Sequence, residues 1–282
     1  MKIKSDTRFI VSFIFVQFLC CSVHGQTIKG RVLDADSKQP LSYVNIGIPG
    51  KNVGTVSNSG GEFEFPITEK NSNDTIKFSM IGYSSYTENI KDLKTRSNSL
   101  EVYLKQTIYK LKEVTILGEN YKEVIGNAKK SLWISVGMGK ENLGSEIGVL
   151  IKLKHSPSYL KTAHLYISTN NNKKVELRLN IYKVLNGMPG NSILHEPIYI
   201  ETTLKSGIWS VDLSKYNIEV IDDFVISVEY VKNIDFQGLY FHCIRGQIPS
   251  YTKAASQSNW EIMTHWDKNL QLTLTVDVLY AN

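Results

Sequence analysis

The sequence predicts an all-β chain of two sandwiches behind an export segment. Three observations carry this. Apolar and polar residues alternate with period two over most of the chain, long stretches of 3.6-residue periodicity are absent, and the alternation is interrupted once, between Tyr109 and Lys130. In QLTLTVDVL, Leu272, Leu274, Val276 and Val278 point one way, and Thr273, Thr275 and Asp277 the other. VELRLNIYKV and FVISVEYV repeat the pattern. A strand of this kind has one face for a core and one for water, as in antiparallel sandwiches rather than parallel sheets buried on both faces.

The elements follow in chain order. Lys2, Lys4 and Arg8 precede an apolar run of eleven residues, Phe9 to Leu19, broken only by Ser12 and Gln17. A membrane-crossing helix needs about 20 apolar residues, so the run is the core of a signal peptide spanning 1–25. Val23 and Gly25 place the cut before Gln26. The flanks of Cys20 and Cys21 argue against lipidation, which would anchor the protein, because neither cysteine follows the small residue such a site needs. The expectation is an exported chain, periplasmic, outer-membrane associated or on the cell surface, with no transmembrane segment after processing.

Cleavage removes three bases and one acid, so the net charge of +5 becomes +3. The charges are scattered without a basic block, which excludes nucleic acid as a partner on electrostatic grounds. Cys243 is then the single cysteine, so no internal disulfide forms, and its setting in LYFHCI reads as a buried small hydrophobe.

Within the domain assigned to 26–117, the chain from Thr27 reads TIKGRVLDADSKQPLSYVNIGIPGKNVGTVSNSGGEFEFPI, then DTIKFSMIGYSSYTENI and then SLEVYLKQ. DADSKQP joins two alternating segments with turn formers, and Pro40 presets a backbone angle where no ladder hydrogen bond is needed. NSGG before EFEF offers Asn and Gly for a tight hairpin in which positive φ is cheap. Phe63 and Phe65 share one face. The fixed order of Gly30, Val32, Asp34, Pro40, Leu41, Val44, Ile46, Gly54, Thr55, Gly61, Phe63, Gly82 and Tyr83 resembles the carboxypeptidase-regulatory-like domain, which implies a seven-stranded prealbumin-like, Ig-like sandwich. Asn58 stands where that family more often has Asp, and a turn tolerates either.

In that family the domain is an accessory module, found behind zinc carboxypeptidases and in front of TonB-dependent outer-membrane receptors. LKEVTILGEN is similar to the hinge leading into a receptor plug. The roughly 165 residues that follow are too few for a 22-stranded barrel. No H-x-x-E occurs, so the zinc peptidase is missing as well.

Residues 118–130 read as a linker, with Tyr121, Val124, Ile125 and Ala128 at the spacing of a short amphipathic helix. Beyond it, 131–282 holds about ten strand candidates separated by turn signals such as NNNKK and NGMPGN, which suits a jelly-roll-like double sheet. Its sequence is similar to an uncharacterised β-rich tail that accompanies the regulatory domain, and that similarity implies architecture only.

Enzyme motifs are absent: there is no H-E-x-x-H, G-x-S-x-G, Walker loop or G-x-G-x-x-G. His155, His164, His195, His242 and His265 have no metal-ligand spacing. S-x-x-K at Ser158–Lys161 and Ser250–Lys253 occurs no more often than chance allows with 27 serines and 27 lysines in 282 residues. DAD at 34–36 lacks the further oxygen ligands of a calcium loop. The expectation is therefore no catalytic residue, no cofactor and no metal.

A structural or protein-docking role in the cell envelope follows, with a carbohydrate-binding accessory protein of an envelope glycan-uptake system as the alternative. The partner is an envelope protein or a glycan. Trp260 and Trp266, with Tyr251 and Asp267, are the candidate ligand-binding residues, since aromatic and polar side chains together suit stacking on sugar rings. Trp209 and Trp260 fit a core position equally well, so the two readings turn on whether the rings lie exposed together or inside the sheets.

Overall fold

The computed structural model describes residues 26–96, 100–107, 120–138, 143–232 and 237–281; residues 1–25, read above as a signal peptide and including Cys20 and Cys21, and 111–119 of the hinge-like stretch lie outside them. Seven strands form the first sandwich. Gln26–Asp34 runs between Glu62–Ile67, antiparallel, and Leu100–Leu104, parallel. The second layer has the order Gly54–Val56, Asn45–Gly47, Thr75–Ser79, Tyr86–Asn89. The alternation in EFEFPI and LEVYL delivers Phe63, Phe65, Ile67, Leu100, Val102 and Leu104 to one core with Val32, Ile46, Ile76 and Phe78. A short helix, Ile90–Thr95, starts at Asn89, whose side chain accepts the Lys91 N–H.

Two local expectations are sharpened. Asp34 closes the DADS turn: its Oδ1 accepts from the Asp36 and Ser37 N–H groups and the Ser37 hydroxyl, and its Oδ2 from the Tyr83 hydroxyl. NSGG is not a hairpin, because Gly54–Val56 and Glu62–Ile67 belong to different layers. It is a turn that carries the chain from one sheet to the other. Gly61 takes φ +74° there, with its missing Cβ position against the Val32 and Leu41 backbone.

The second sandwich has a seven-stranded and a nine-stranded sheet. The first runs Met188–Ser192, Val175–Leu185, Phe224–Tyr230, Glu146–Ile151, Ser250–Lys253, Trp260–Ile262, with Ile198–Thr202 also on Val175–Leu185. The second is built on the long strand Ser158–Asn170, flanked by Leu274–Ala281 and Leu239–Arg245. Their inner faces meet in one core that includes Leu177, Leu179, Ile181, Ile226, Val228, Val276 and Trp209. Cys243 is buried in the same core, and burial pushes its thiol up to about 11. A thiol reagent at pH 8 is expected to leave Cys243 unmodified in the folded protein and to label it fully in denaturant; fast labelling of the native protein would refute the burial.

The segment read as a helical linker is a strand. Asn120–Asn127 pairs antiparallel with Leu274–Ala281 along its whole length, from Asn127↔Leu274 to Asn120↔Ala281. Ile125 enters the core and Val124 lies exposed on the opposite face. The spacing of the apolar residues allows either element. An isolated helix shorter than about 12 residues is marginal in water, whereas the edge of Leu274–Ala281 offers a full ladder of backbone partners.

The outer face of the seven-stranded sheet differs most from expectation. Four polar residues in the middle of VELRLNIYKV and FVISVEYV do not meet water: Arg178, Asn180, Ser227 and Glu229 are buried, while Glu176 is half-buried and Lys183 exposed. They face the first sandwich. Among the described residues no helix is long and apolar enough to cross a membrane.

Candidate functional site

Strand register builds a row of side chains across five strands. Arg178 lies opposite Glu229, Glu229 opposite Glu146, Glu146 opposite Lys253, and Lys253 opposite Trp260. Two carboxylates on neighbouring strands repel, and here each has its own cation. Arg178 donates through Nε at 3.0 Å and Nη2 at 2.8 Å to Glu229 Oε2. Lys253 Nζ sits 2.5 Å from Glu146 Oε2. The side chains of Arg178 and Glu229 are 1% and 0% exposed, so this pair is desolvated as fully as any apolar core residue.

The next row adds neutral donors. Asn180 Nδ2 bridges both acids, 2.8 Å from Glu146 Oε1 and 2.7 Å from Glu229 Oε2. Ser227 Oγ and Tyr182 OH also donate to Glu146 Oε1, at 2.5 and 2.9 Å. Glu229 Oε1, by contrast, is buried and accepts no hydrogen bond among the described residues. Burial on its own pushes the Glu146 carboxyl up, but the Lys253 ammonium and the donors outweigh it and hold the group below the usual carboxylate range. For Lys253, burial pulls down and the two carboxylates raise it further, leaving it above an ordinary lysine. Burial first, then Glu146 and Glu229, drives the Tyr182 hydroxyl well above an ordinary tyrosine.

The sign of the pH dependence follows from these directions. A carboxyl depressed in the folded state stabilises the fold above its unfolded pKa of roughly 4.5 and loses that contribution as pH falls through the folded value. The raised Lys253 contributes fully below about pH 10.5 and fails only beyond it. Unfolding free energy is therefore expected to hold level through neutral pH and to fall below about pH 4.5. Glu146→Gln should flatten part of that fall; an unchanged acid limb would remove Glu146 from the account.

The first sandwich closes over the row. Arg178 Nη1 donates to the Tyr43 carbonyl and Nη2 to Asn45 Oδ1, both at 2.8 Å. Beside it the segment 255–258 presses against the four-stranded sheet. Ser256 Oγ donates to Asn45 Oδ1, Gln257 Nε2 to Ser79 Oγ, and Ser258 Oγ to the Lys51 carbonyl, at 3.1, 2.7 and 3.0 Å. Gly47 and Gly54 permit this, because a Cβ on either would overlap the Ser256 carbonyl oxygen. Next to the contact the sandwiches leave a cleft of about 450 Å³.

The structure separates the candidate ligand residues. Tyr251 is fully buried, its hydroxyl donating 2.8 Å to the Gly187 carbonyl, so it is a packing residue and not a surface group. Trp260 is half-buried, meets Tyr182 edge-on at 5.6 Å between centroids, carries Lys253 Nζ over its ring and borders the interdomain cleft. Trp266 is 77% exposed on a turn in the other sheet, stacked on His265 with the Arg245 guanidinium over it. Asp267 follows it on that turn, exposed, and both have positive φ. Trp260 and Trp266 thus belong to different surfaces. The residues that line the cleft beside Trp260 include Lys77, Asn45, Arg178 and Asn180, none of which sequence proximity picks out. The available signal is Glu146 and Glu229, single acids within the otherwise largely apolar runs SEIGVLI and FVISVEYV, whose strands are buried on both faces.

No match was found among curated proteins. One similar solved structure comprises the cysteine protease and lectin-like domains of Cwp84, a surface layer associated protein of Clostridium difficile, with 11% identity over 53% of this chain and 37% of that one, at a TM-score of 0.37. Another is a clostridial cysteine protease Cwp84 after propeptide cleavage, with 9% identity, 88% of this chain, 61% of that one and a TM-score of 0.41. The chain thus spans less than two thirds of either structure, and likeness at these scores carries no argument. The CarboxypepD_reg-like domain family model matches residues 28–116, a stretch that takes in almost all of the seven-stranded first sandwich.

Proposed function

We propose that the chain is an exported, non-catalytic protein of the bacterial cell envelope with a structural or protein-docking role, its regulatory-like sandwich serving as a rigid spacer. The observation that carries this is Arg178, which is buried between the sandwiches and bonded to both. A spacer transmits position only if its joint is fixed. A fully desolvated guanidinium that gives up two of its four hydrogen bonds when the sandwiches part fixes it. Cell fractionation with N-terminal sequencing tests the address: the protein should be recovered with the envelope and begin at Gln26. Recovery from the cytoplasm with residues 1–25 intact would overturn it. Chemical crosslinking in intact envelopes, repeated with Arg178→Ala, tests the role. Crosslinks to one discrete envelope protein should depend on the arginine, and crosslinks unaffected by its loss would refute the rigid-spacer reading.

A second reading, a carbohydrate-binding accessory protein, is favoured by Trp260 at the border of the interdomain cleft.

A further inference from the structure

We propose that the cleft between the two sandwiches binds a saccharide carrying a carboxylate or sulfate group; the proposal rests on the carbohydrate-binding reading and names its ligand class. The cleft is a built cavity. Its volume of about 450 Å³ lies in the ~300–1,000 Å³ range of small-molecule sites, and such sites favour the junction of two domains.

The charge of its lining is one-sided. Among the described residues Lys77, Arg178 and Lys253 line the cleft and no Asp or Glu does. The carboxylates that balance two of these cations, Glu229 and Glu146, are fully buried and do not reach the lining. Lys77 is different: it is half-exposed on Thr75–Ser79, opposite in direction to the core residues Ile76 and Phe78, and forms no ion pair among the described residues. One cation is therefore left over for a ligand. A single surplus charge suits one carboxylate or sulfate and is too little for a di- or triphosphate.

The rest of the lining is what a sugar needs. Asn45, Asn191 and Gln257 present amide groups from both sandwiches. Asn45 Oδ1 already accepts from Arg178 and Ser256 and Gln257 Nε2 donates to Ser79, which leaves Asn45 Nδ2 to donate, Gln257 Oε1 to accept and the Asn191 amide to do both toward ring hydroxyls. Trp260 adds an indole at the border, where apolar stacking on a sugar ring is available. Lys253 holds that indole in place from its own strand partner.

Calorimetric titration of the full mature chain with trigalacturonate, a sulfated galactose disaccharide and neutral cellotriose tests the proposal. One or both anionic probes should bind, with affinity falling as salt rises from about 20 to 200 mM, and the probe that binds identifies the group as carboxylate or sulfate. Lys77→Ala should weaken that binding about tenfold, the loss of one charge-assisted contact. Trp260→Ala should abolish it, while Trp266→Ala, on the other sheet, should leave it unchanged. The salt dependence needs no variant, so the proposal stays testable if Trp260→Ala fails to fold. Binding of cellotriose as tight as that of the anionic probes, insensitive to salt and Lys77, would overturn the anionic preference while leaving the carbohydrate reading standing. Binding lost with Trp266 but not with Trp260 would place the site elsewhere and overturn the cleft. No binding of any probe would overturn both.

Discussion

Arg178→Met is expected to lower the unfolding free energy by about 3–5 kcal/mol, the loss seen when one member of a buried ion pair is removed. The charge itself is only part of the reason. The change leaves the Glu229 carboxylate fully buried with Asn180 as its remaining donor, and it takes one donor each from the Tyr43 carbonyl and from Asn45 Oδ1, which keeps Ser256. Equilibrium unfolding in urea measures it. The paired change Arg178→Met with Glu229→Met should recover much of the loss, because a buried pair replaced by apolar side chains is often neutral. Arg178→Lys should not, since one ammonium cannot reach the Glu229 carboxylate and two acceptors on the other sandwich in the planar geometry of a guanidinium. The exposed pair Lys29–Glu64 is the control, and Lys29→Met should cost no more than about 1 kcal/mol. If Arg178→Met cost as little as Lys29→Met, the buried row would not hold the two sandwiches together.

The same residue marks where sequence stops being legible. Alternation in EFEFPI and LEVYL identifies strands and their inner faces directly, because a half-buried strand has one apolar and one polar side. It says nothing about what covers the polar side. In VELRLNIYKV the pattern of Arg178 and Asn180 is the same whether the neighbour is water or a second sandwich, and here it is the latter. The partners are distant in the chain: Arg178 meets Glu229 51 residues on and Tyr43 135 residues back. Strand register brings Glu229 to Arg178, and the packing of the two sandwiches brings Tyr43 to it. Residues 120–127 show a second limit, since Tyr121, Val124 and Ile125 fit a helical stripe while the strand buries Ile125 alone of the three. Among the candidate ligand residues, the sequence distinguishes Trp266 in its polar run from Trp260 beside a strand, but the burial of Tyr251 depends on its packing with Val225 and Leu150 of two other strands.

Gly54→Val is expected to cost at least about 2 kcal/mol, within the range of overpacking a filled contact. Gly54 does not have a positive φ, so the substitution adds no left-handed strain and reports on space alone. The space is closed by backbone. A Cβ at Gly54 would overlap the Ser256 carbonyl oxygen, and the Ser256 main chain cannot yield freely because the residue is fully buried and its hydroxyl is bonded to Asn45. Gly60→Val is the matched control, half-exposed like Gly54 but with ordinary van der Waals distances to its nearest neighbours, and it should change stability by less than about 0.5 kcal/mol. The informative measurement is the double variant with Arg178→Met. Asn45 accepts from both Arg178 and Ser256, so the two substitutions act on one contact. Groups that share a partner are not additive. Once either change has parted the sandwiches, the other has less left to lose, and the combined loss should fall short of the sum of the single losses by about 1 kcal/mol or more. Losses that add to within about 0.5 kcal/mol would mean that Arg178 and the 255–258 segment stabilise the protein independently, and the single rigid joint would have to be given up.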